Sequence, residues 1–252
     1  MSARPGTLSG RVAVVTGGVR NIGRAIALAL ADAGAAVSVC SRKASAEGDS
    51  LVKEISSRGG KALCAVADVS REDDVSRYIE NTRDALGGVD ILVNNASIRR
   101  LSPIEKLSLA EWREVMAANV EAAFLCARAC VPLMRGSTGR IVNIGGLSAH
   151  RGAGNRAHVV SSKAALIGFT KALAVELAER GITVNCVVPG TIDTVRGADA
   201  GAVPPHPGGF DSPLGRKGTP DEVAAMVAYL ASDAAAYVTG QTLHVNGGLY
   251  LP

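Results

Sequence analysis

Short runs of apolar, mostly β-branched residues alternate along this chain with longer stretches in which apolar positions recur every three or four residues. The first kind reads as strand buried on both faces, the second as amphipathic helix. Strands are predicted at Val12–Thr16, Ala36–Cys40, Ala62–Val66, Ile91–Asn94, Arg140–Ile144, Thr183–Val187 and Thr242–Val245. Helical spacing is clearest at Ile22–Ala33, Asp73–Leu86, Leu109–Met134, Ala164–Glu179 and Pro220–Ala231. Thr219-Pro220-Asp221-Glu222 has the chemistry of a helix start, with Pro in the first turn and acids at the positive dipole end. Neither an internal repeat nor an interdomain linker interrupts this alternation. It predicts one α/β domain over residues 1–252, a doubly wound parallel sheet of about seven strands with helices on both faces. Residues 1–8 are expected to form a flexible N-terminus. One segment breaks the rhythm: Arg196–Ser212, RGADAGAVPPHPGGFDS, is rich in Gly and Pro and has no apolar period. A loop that long in a compact domain is usually functional.

Composition narrows the class without changing the architecture. With 47% hydrophobic and 20% charged residues, 252 residues suffice for one large core. No apolar run reads as a bilayer span and MSARPGTLSG carries no apolar signal core, so a cytoplasmic protein with no membrane role is expected. The net charge of +4 is spread without a basic block, which argues against nucleic acid as a partner. Of the five cysteines, Cys126 and Cys130 share a helix face, and no Cys-x-x-Cys or Cys/His ligand spacing occurs. Reduced, buried thiols and no metal site are expected.

The strongest chemical signal follows the first strand, where TGGVRNIG leads into a helix. A Gly-rich turn between strand and helix exposes backbone N–H groups and a helix N-terminus to a pyrophosphate. Gly17 permits the tight turn and Gly23 the close approach of helix to sheet, a Rossmann-type arrangement. Asn21 tolerates left-handed backbone angles and so keeps the turn possible. The second strand, AAVSVCSRK, ends in Ser41, Arg42 and Lys43 where NAD-selective folds carry an acid. With Arg20 from the Gly-rich loop, Arg42 could hold an adenosine 2′-phosphate through charge-assisted hydrogen bonds, which favours NADP(H) over NAD(H).

These motifs, taken with GRIVNIGGLSAHRGAGNRAHVVSSK at 139–163, resemble the short-chain dehydrogenase/reductase family, and the C-terminal PLGRKGTPDEVA and YVTGQTLHVNGG resemble its β-ketoacyl-carrier-protein reductases. The resemblance runs from about Leu8 to the C-terminus. It implies cofactor contacts from Gly17, Arg20, Asn21, Ile22, Gly23, Ser41 and Arg42, and adenine contacts from Asp68 and Val69. Asn95 and Ala96, in the NNAS segment, would lie beside the cofactor. Pro189, Gly190, Ile192 and Thr194, in PGTIDT, would bring the nicotinamide carboxamide contacts at Ile192 and Thr194. It also implies that 196–212 covers substrate, and that the long helices build homodimers or homotetramers.

The family's reducing chemistry uses a Tyr acid, a Lys that lowers its pKa and holds the ribose, a Ser that binds the oxyanion, and an Asn that supports a water relay. Lys163 and Asn119 match. The Tyr position, four before Lys163, holds Val159, and the Ser position, thirteen earlier, holds Gly146. Losing a general acid costs about 10²–10⁴ in rate and losing an oxyanion donor about 10²–10³. Ser148 and His158 are the local candidates to substitute, although His158 points about 100° away from Val159 on a helix. His150, Arg151 and Arg156 share the loop, and Arg99-Arg100 follow NNAS toward the same rim, where they would suit an anionic small-molecule substrate. The expected activity is NADPH-dependent reduction of an activated C=N, C=C or carbonyl group without the Tyr acid. The alternatives are a hydrolase, lyase or isomerase on the same scaffold and a catalytically silent NADP(H)-binding subunit.

Overall fold

The computed structural model of the protein describes residues 6–195 and 212–252. Its centre is one parallel sheet of seven strands in the order β3-β2-β1-β4-β5-β6-β7. These are β1 (Val12–Thr16), β2 (Ala36–Ser41), β3 (Ala62–Val66), β4 (Ile91–Asn94), β5 (Arg140–Ile144), β6 (Thr183–Pro189) and β7 (Thr242–Val245). Five strands have the predicted bounds, β2 extends by one residue and β6 by two. The central strands are buried throughout, with runs such as VAVVT and RIVNI, because helices cover both of their faces.

The helices are α1 (Asn21–Asp32), α2 (Ala46–Ser57), α3 (Glu72–Leu86), α4 (Leu109–Met116), α5 (Ala122–Cys130), α6 (Ser148–Arg151), α7 (Ala157–Glu176) and α8 (Pro220–Ala231). On one face α1 and α8 pack Ile26, Leu30, Val223, Val227 and Leu230 against Val15, Val37 and Val142. On the other, α3, α5 and α7 bury Val75, Ile79, Cys126, Cys130 and Ala174 against Leu92, Ile141 and Val184. The helix start read at Thr219 is a capping box, in which Thr219 accepts from the Glu222 N–H and Glu222 from the Thr219 N–H.

Three expectations need correction. Leu8, assigned to a flexible terminus, is fully buried and donates its N–H to Ala33 O at 2.8 Å. The helix predicted at Leu109–Met134 is divided by a π-helical turn, Ala117–Glu121, and ends in a 3₁₀ turn at Val131–Leu133. Contrary to the reading that no run is span-like, residues 109–133 pass a length and hydropathy test for one. One face of the stretch packs on β4 and α3, where Val115, Cys126 and Cys130 are fully buried, while Leu109 and Phe124 are exposed on the other. Helix α7 begins at Ala157 and so includes His158 and Val159, although helical spacing is clearest only from Ala164. The covering loop predicted at 196–212 lies outside the described residues except for Ser212, which is buried and donates to Gly247 O.

Candidate functional site

The residues singled out from sequence gather at the C-terminal ends of the strands, around the point where the chain has gone out from β1 to β3 and returns on β1's other side as β4. In open α/β sheets that crevice is where ligands bind. The ends of β1 and β4 are tied together. Asn95 Nδ2 donates to Thr16 O at 2.9 Å and Gly17 O at 3.0 Å, while Thr16 Oγ1 accepts from the N–H groups of Asn95 and Ala96. A Cβ at Gly23 would stand 2.3 Å from Gly17 O, so helix and turn meet only because residue 23 has none. Asn21 has φ of +52°, the left-handed angle its side chain tolerates. The first turn of α1 holds no acid and no side-chain cap, which leaves its positive end facing the crevice. A dinucleotide's pyrophosphate fits this cradle.

On the adenine side, Ser41 closes β2 and donates to Lys43 O at 2.7 Å, with Arg20, Arg42 and Lys43 exposed around it. Asp68 accepts from the N–H and hydroxyl of Ser70, and Val69 is buried beneath. Across the crevice, Pro189 ends β6 and Gly190 lies against Asn246, where a Cβ would come within 2.6 Å of Asn246 Cα. Ile192 bridges to Gly218, and Thr194 follows with its hydroxyl 3.5 Å from Ile192 O.

Lys163, one turn past Val159 on α7, is almost wholly buried and donates from Nζ to Ile144 O at 2.8 Å. Burial pushes its pKa down to about 8, with the positive charge of Arg99 adding to the shift and Cys186 opposing it. Its stem passes under Gly146, where an added Cβ would lie 3.4 Å from Lys163 Cγ and 3.9 Å from Ser148 Oγ. The Ser148 hydroxyl thus borders the position a serine at 146 would fill. Val159 is 1% exposed and offers only methyl groups. Asn119 sits in the π-helical turn, a device common at functional sites. It accepts from Ile98 N–H at 2.7 Å and donates to Ile98 O and to Ser162 Oγ, fastening the β4 exit to α7. A buried run from Asn94 to Asn143 to Thr170 joins β4, β5 and α7 and fixes the helix that carries Lys163.

Residues 17–250 match the family described as Enoyl-(Acyl carrier protein) reductase. The chain is 42% identical over 246 residues to the 3-oxoacyl-[acyl-carrier-protein] reductase of Synechocystis sp., covering 97% of this chain and 98% of that protein. Among solved structures, a blue fluorescent protein from a metagenomic library in complex with NADPH superposes with a TM-score of 0.90 at 37% identity, over 97% of this chain and all of that one. A short-chain dehydrogenase from Burkholderia cenocepacia in complex with NADP gives 0.87 at 36%, over 96% and 98%. The chain belongs to the short-chain dehydrogenase/reductase family. Its relatives in this family are oxidoreductases.

His158, a candidate acid from sequence, lies about 140° around α7 from Lys163. It is fully buried, its charged neighbours are Glu111 and Arg100, and neither ring nitrogen has a hydrogen-bond partner among the described residues. Burial lowers its pKa, and the structure does not bring it to the Lys163 side. Sequence reasoning also missed that His150, on α6, meets two distant rings: His244 of β7 at 4.5 Å and Tyr250 at 5.1 Å between centroids. Nothing in the spacing of residues 150, 244 and 250 signals this contact; only the return of β7 to the sheet edge creates it. Burial lowers the pKa of both histidines, further for His244 through the neighbouring His150. An open cavity of about 370 Å³ lies elsewhere on α7, beside Ser102, Asn155, Arg156, Val160 and Ser161, and Lys163 does not line it.

Proposed function

We propose that this protein is an NADPH-dependent reductase of an activated C=N, C=C or carbonyl group that works without a tyrosine acid. The observation that supports the reading is the tight Gly17–Gly23 turn at the strand ends together with a buried Lys163 that passes under Gly146 and has only methyl groups one turn away at Val159. NADPH, when bound, supplies hydride. The chain's own residues do the rest. The Gly17–Gly23 turn and the start of α1 hold the pyrophosphate, and Arg20 and Arg42 hold the 2′-phosphate with no carboxylate at Ser41 to repel it. Ile192 and Thr194 orient the nicotinamide end. Lys163 is fixed on Ile144 O and binds ribose, and Asn119 holds the Ile98 backbone beside it. Val159 excludes water from the reacting face, and the Ser148 hydroxyl is the nearest donor to a developing negative charge at the Gly146 position. An iminium or a conjugated bond needs less help from a protein acid than a plain ketone, so this reduced set of donors suits an activated substrate. An anionic small molecule is the substrate favoured, on the run of Arg99 and Arg100 that follows β4 and of Arg151 and Arg156 that flank the start of α7. We place the protein in the cytoplasm as a homodimer or homotetramer.

Titration of the purified protein with NADPH and NADH, followed by nicotinamide fluorescence, tests the cofactor. Micromolar NADPH binding with much weaker NADH binding is expected. A panel of imines, enones and diones should then show NADPH oxidation above blank. Binding without any turnover across the panel would favour a silent NADP(H)-binding subunit, and binding of neither dinucleotide would sink the redox reading.

A further inference from the structure

One pair of hydrogen bonds crosses the dinucleotide crevice. Asn21 Nδ2 donates to Val195 O at 2.8 Å, and Val195 N–H donates to Asn21 Oδ1 at 3.0 Å. The side-chain amide therefore pairs with both backbone groups of one residue, as facing residues of antiparallel strands do. Because Val195 N–H only donates and its carbonyl only accepts, the pair also fixes which way the amide faces. Asn21 belongs to the Gly-rich turn, and a glycine in its place would have nothing with which to reach across.

The segment Asn21 grips is already held from its other side. Asp193 N–H donates to Gly218 O at 2.8 Å, Gly218 N–H to Thr191 O at 3.0 Å, and Lys217 Nζ lies 3.1 Å from Asp193 Oδ1. Residues 191–195 are thus suspended between the start of α8 and the phosphate turn. Ile192 and Thr194, the residues assigned to the nicotinamide carboxamide, lie within that suspended stretch. Without Asn21, only the Gly218 side would set its distance from the pyrophosphate cradle.

We propose that Asn21 is a positioning residue that sets the spacing between the phosphate turn and residues 191–195, and so determines the grip on the nicotinamide half of the dinucleotide. This rests on the NADP(H) reading above. The adenine half touches Arg20, Ser41, Arg42 and Asp68, none of which the pair holds, and should not sense it.

The test is Asn21→Gly in the full-length protein. Glycine adopts the left-handed angle freely, so the turn survives the change. Two neutral hydrogen bonds set the scale, and NADPH affinity should fall about tenfold, mainly through faster release. Adenosine 2′,5′-bisphosphate, which lacks the nicotinamide half, should bind the variant and the parent within about twofold, and the Val195 amide should exchange with deuterium faster in the variant. Equal NADPH affinity and release in both proteins, or tighter binding by the variant, would overturn the proposal. So would an equal loss for both ligands, since that marks a collapsed turn. If the parent itself binds neither NADPH nor adenosine 2′,5′-bisphosphate, the cofactor reading fails and the positioning role with it.

Discussion

Gly146 and Val159 face the same lysine from two elements, but they differ in what a larger side chain would meet. At Gly146 the first added carbon finds ordinary contacts at 3.4 and 3.9 Å, so a serine fits without displacing backbone. At Val159, 1% exposed, a tyrosine ring must extend past the buried position toward the crevice where substrate would sit. The paired change Gly146→Ser and Val159→Tyr should therefore raise NADPH-dependent reduction of a simple ketone by about tenfold or more, since each donor is worth at least that much. The loss of NADPH absorbance reports it, and no gain would mean that the surrounding pocket differs too. Lys163 supports a second prediction through its titration. Its folded pKa, about 8, lies below its ordinary value of 10.5, so the unfolded chain binds the proton more tightly between those limits. Keeping the buried ammonium charged below pH 8 costs about 3 kcal/mol, and that cost is relieved as pH rises from about 8 to 10.5. Urea unfolding of the parent against Lys163→Met should show the gap between them narrow, or reverse in the parent's favour, across that window. A pH-independent difference would show that the charge is not held in the interior.

Between residues and molecule, the elements show what pattern can and cannot reveal. The central strands were legible because burial on both faces leaves an apolar run that few other structures require, whereas the half-buried edge strands β3 and β7 were legible from their place in the strand–helix alternation. The start of α8 was legible because capping is local chemistry, spelled by Thr219, Pro220 and Glu222 alone. By contrast, α2 carries only Leu51 and Ile55 as fully buried anchors, and its Gly48 packs so near Cys64 that a Cβ would come within 2.6 Å of the sulfur; neither feature has a periodic signature. The π-helical turn at Asn119 was hidden for a related reason. One extra residue in a helix leaves apolar spacing almost intact, while it moves the Asn119 amide to where Ile98 and Ser162 are both in reach. The cradle residues were legible from motif spacing, since a turn that must accept a pyrophosphate constrains consecutive positions. The angular offset of His158 from Val159 was legible from helix geometry, but its burial beside Glu111 and Arg100 was not, because those neighbours come from distant parts of the chain. The bond from Asn21 to Val195 spans 174 positions and has no local signal at either end.

At the scale of the whole molecule, the sheet order brings the end of β2 beside that of β1, and on the NADP(H) reading proposed above this adjacency puts Ser41 where it would discriminate between two cofactors. Ser41 and the Arg20 turn meet only because β1 and β2 pair in register from Val12–Ala36 to Thr16–Cys40. Arg20, Arg42 and Lys43 are exposed around an uncharged Ser41, and on the NADP(H) reading these cations would meet a 2′-phosphate. Replacing Ser41 by Asp leaves the sheet unchanged, because residue 41 is the last of its strand and its hydroxyl serves only a local bond to Lys43 O. The new carboxylate would repel the 2′-phosphate and offer two acceptors to ribose hydroxyls. Ser41→Asp should weaken NADPH about tenfold or more and strengthen NADH, so that the ratio of the two dissociation constants moves by at least about a hundredfold. Fluorescence titration of both dinucleotides against both proteins measures that ratio directly. An unchanged ratio would place the 2′-position away from β2 and leave Arg20 and Arg42 as solvated charges. A shift of the expected size would tie the cofactor preference to the corner that β1 and β2 form, independently of whichever substrate the Gly146–Val159 surface accepts.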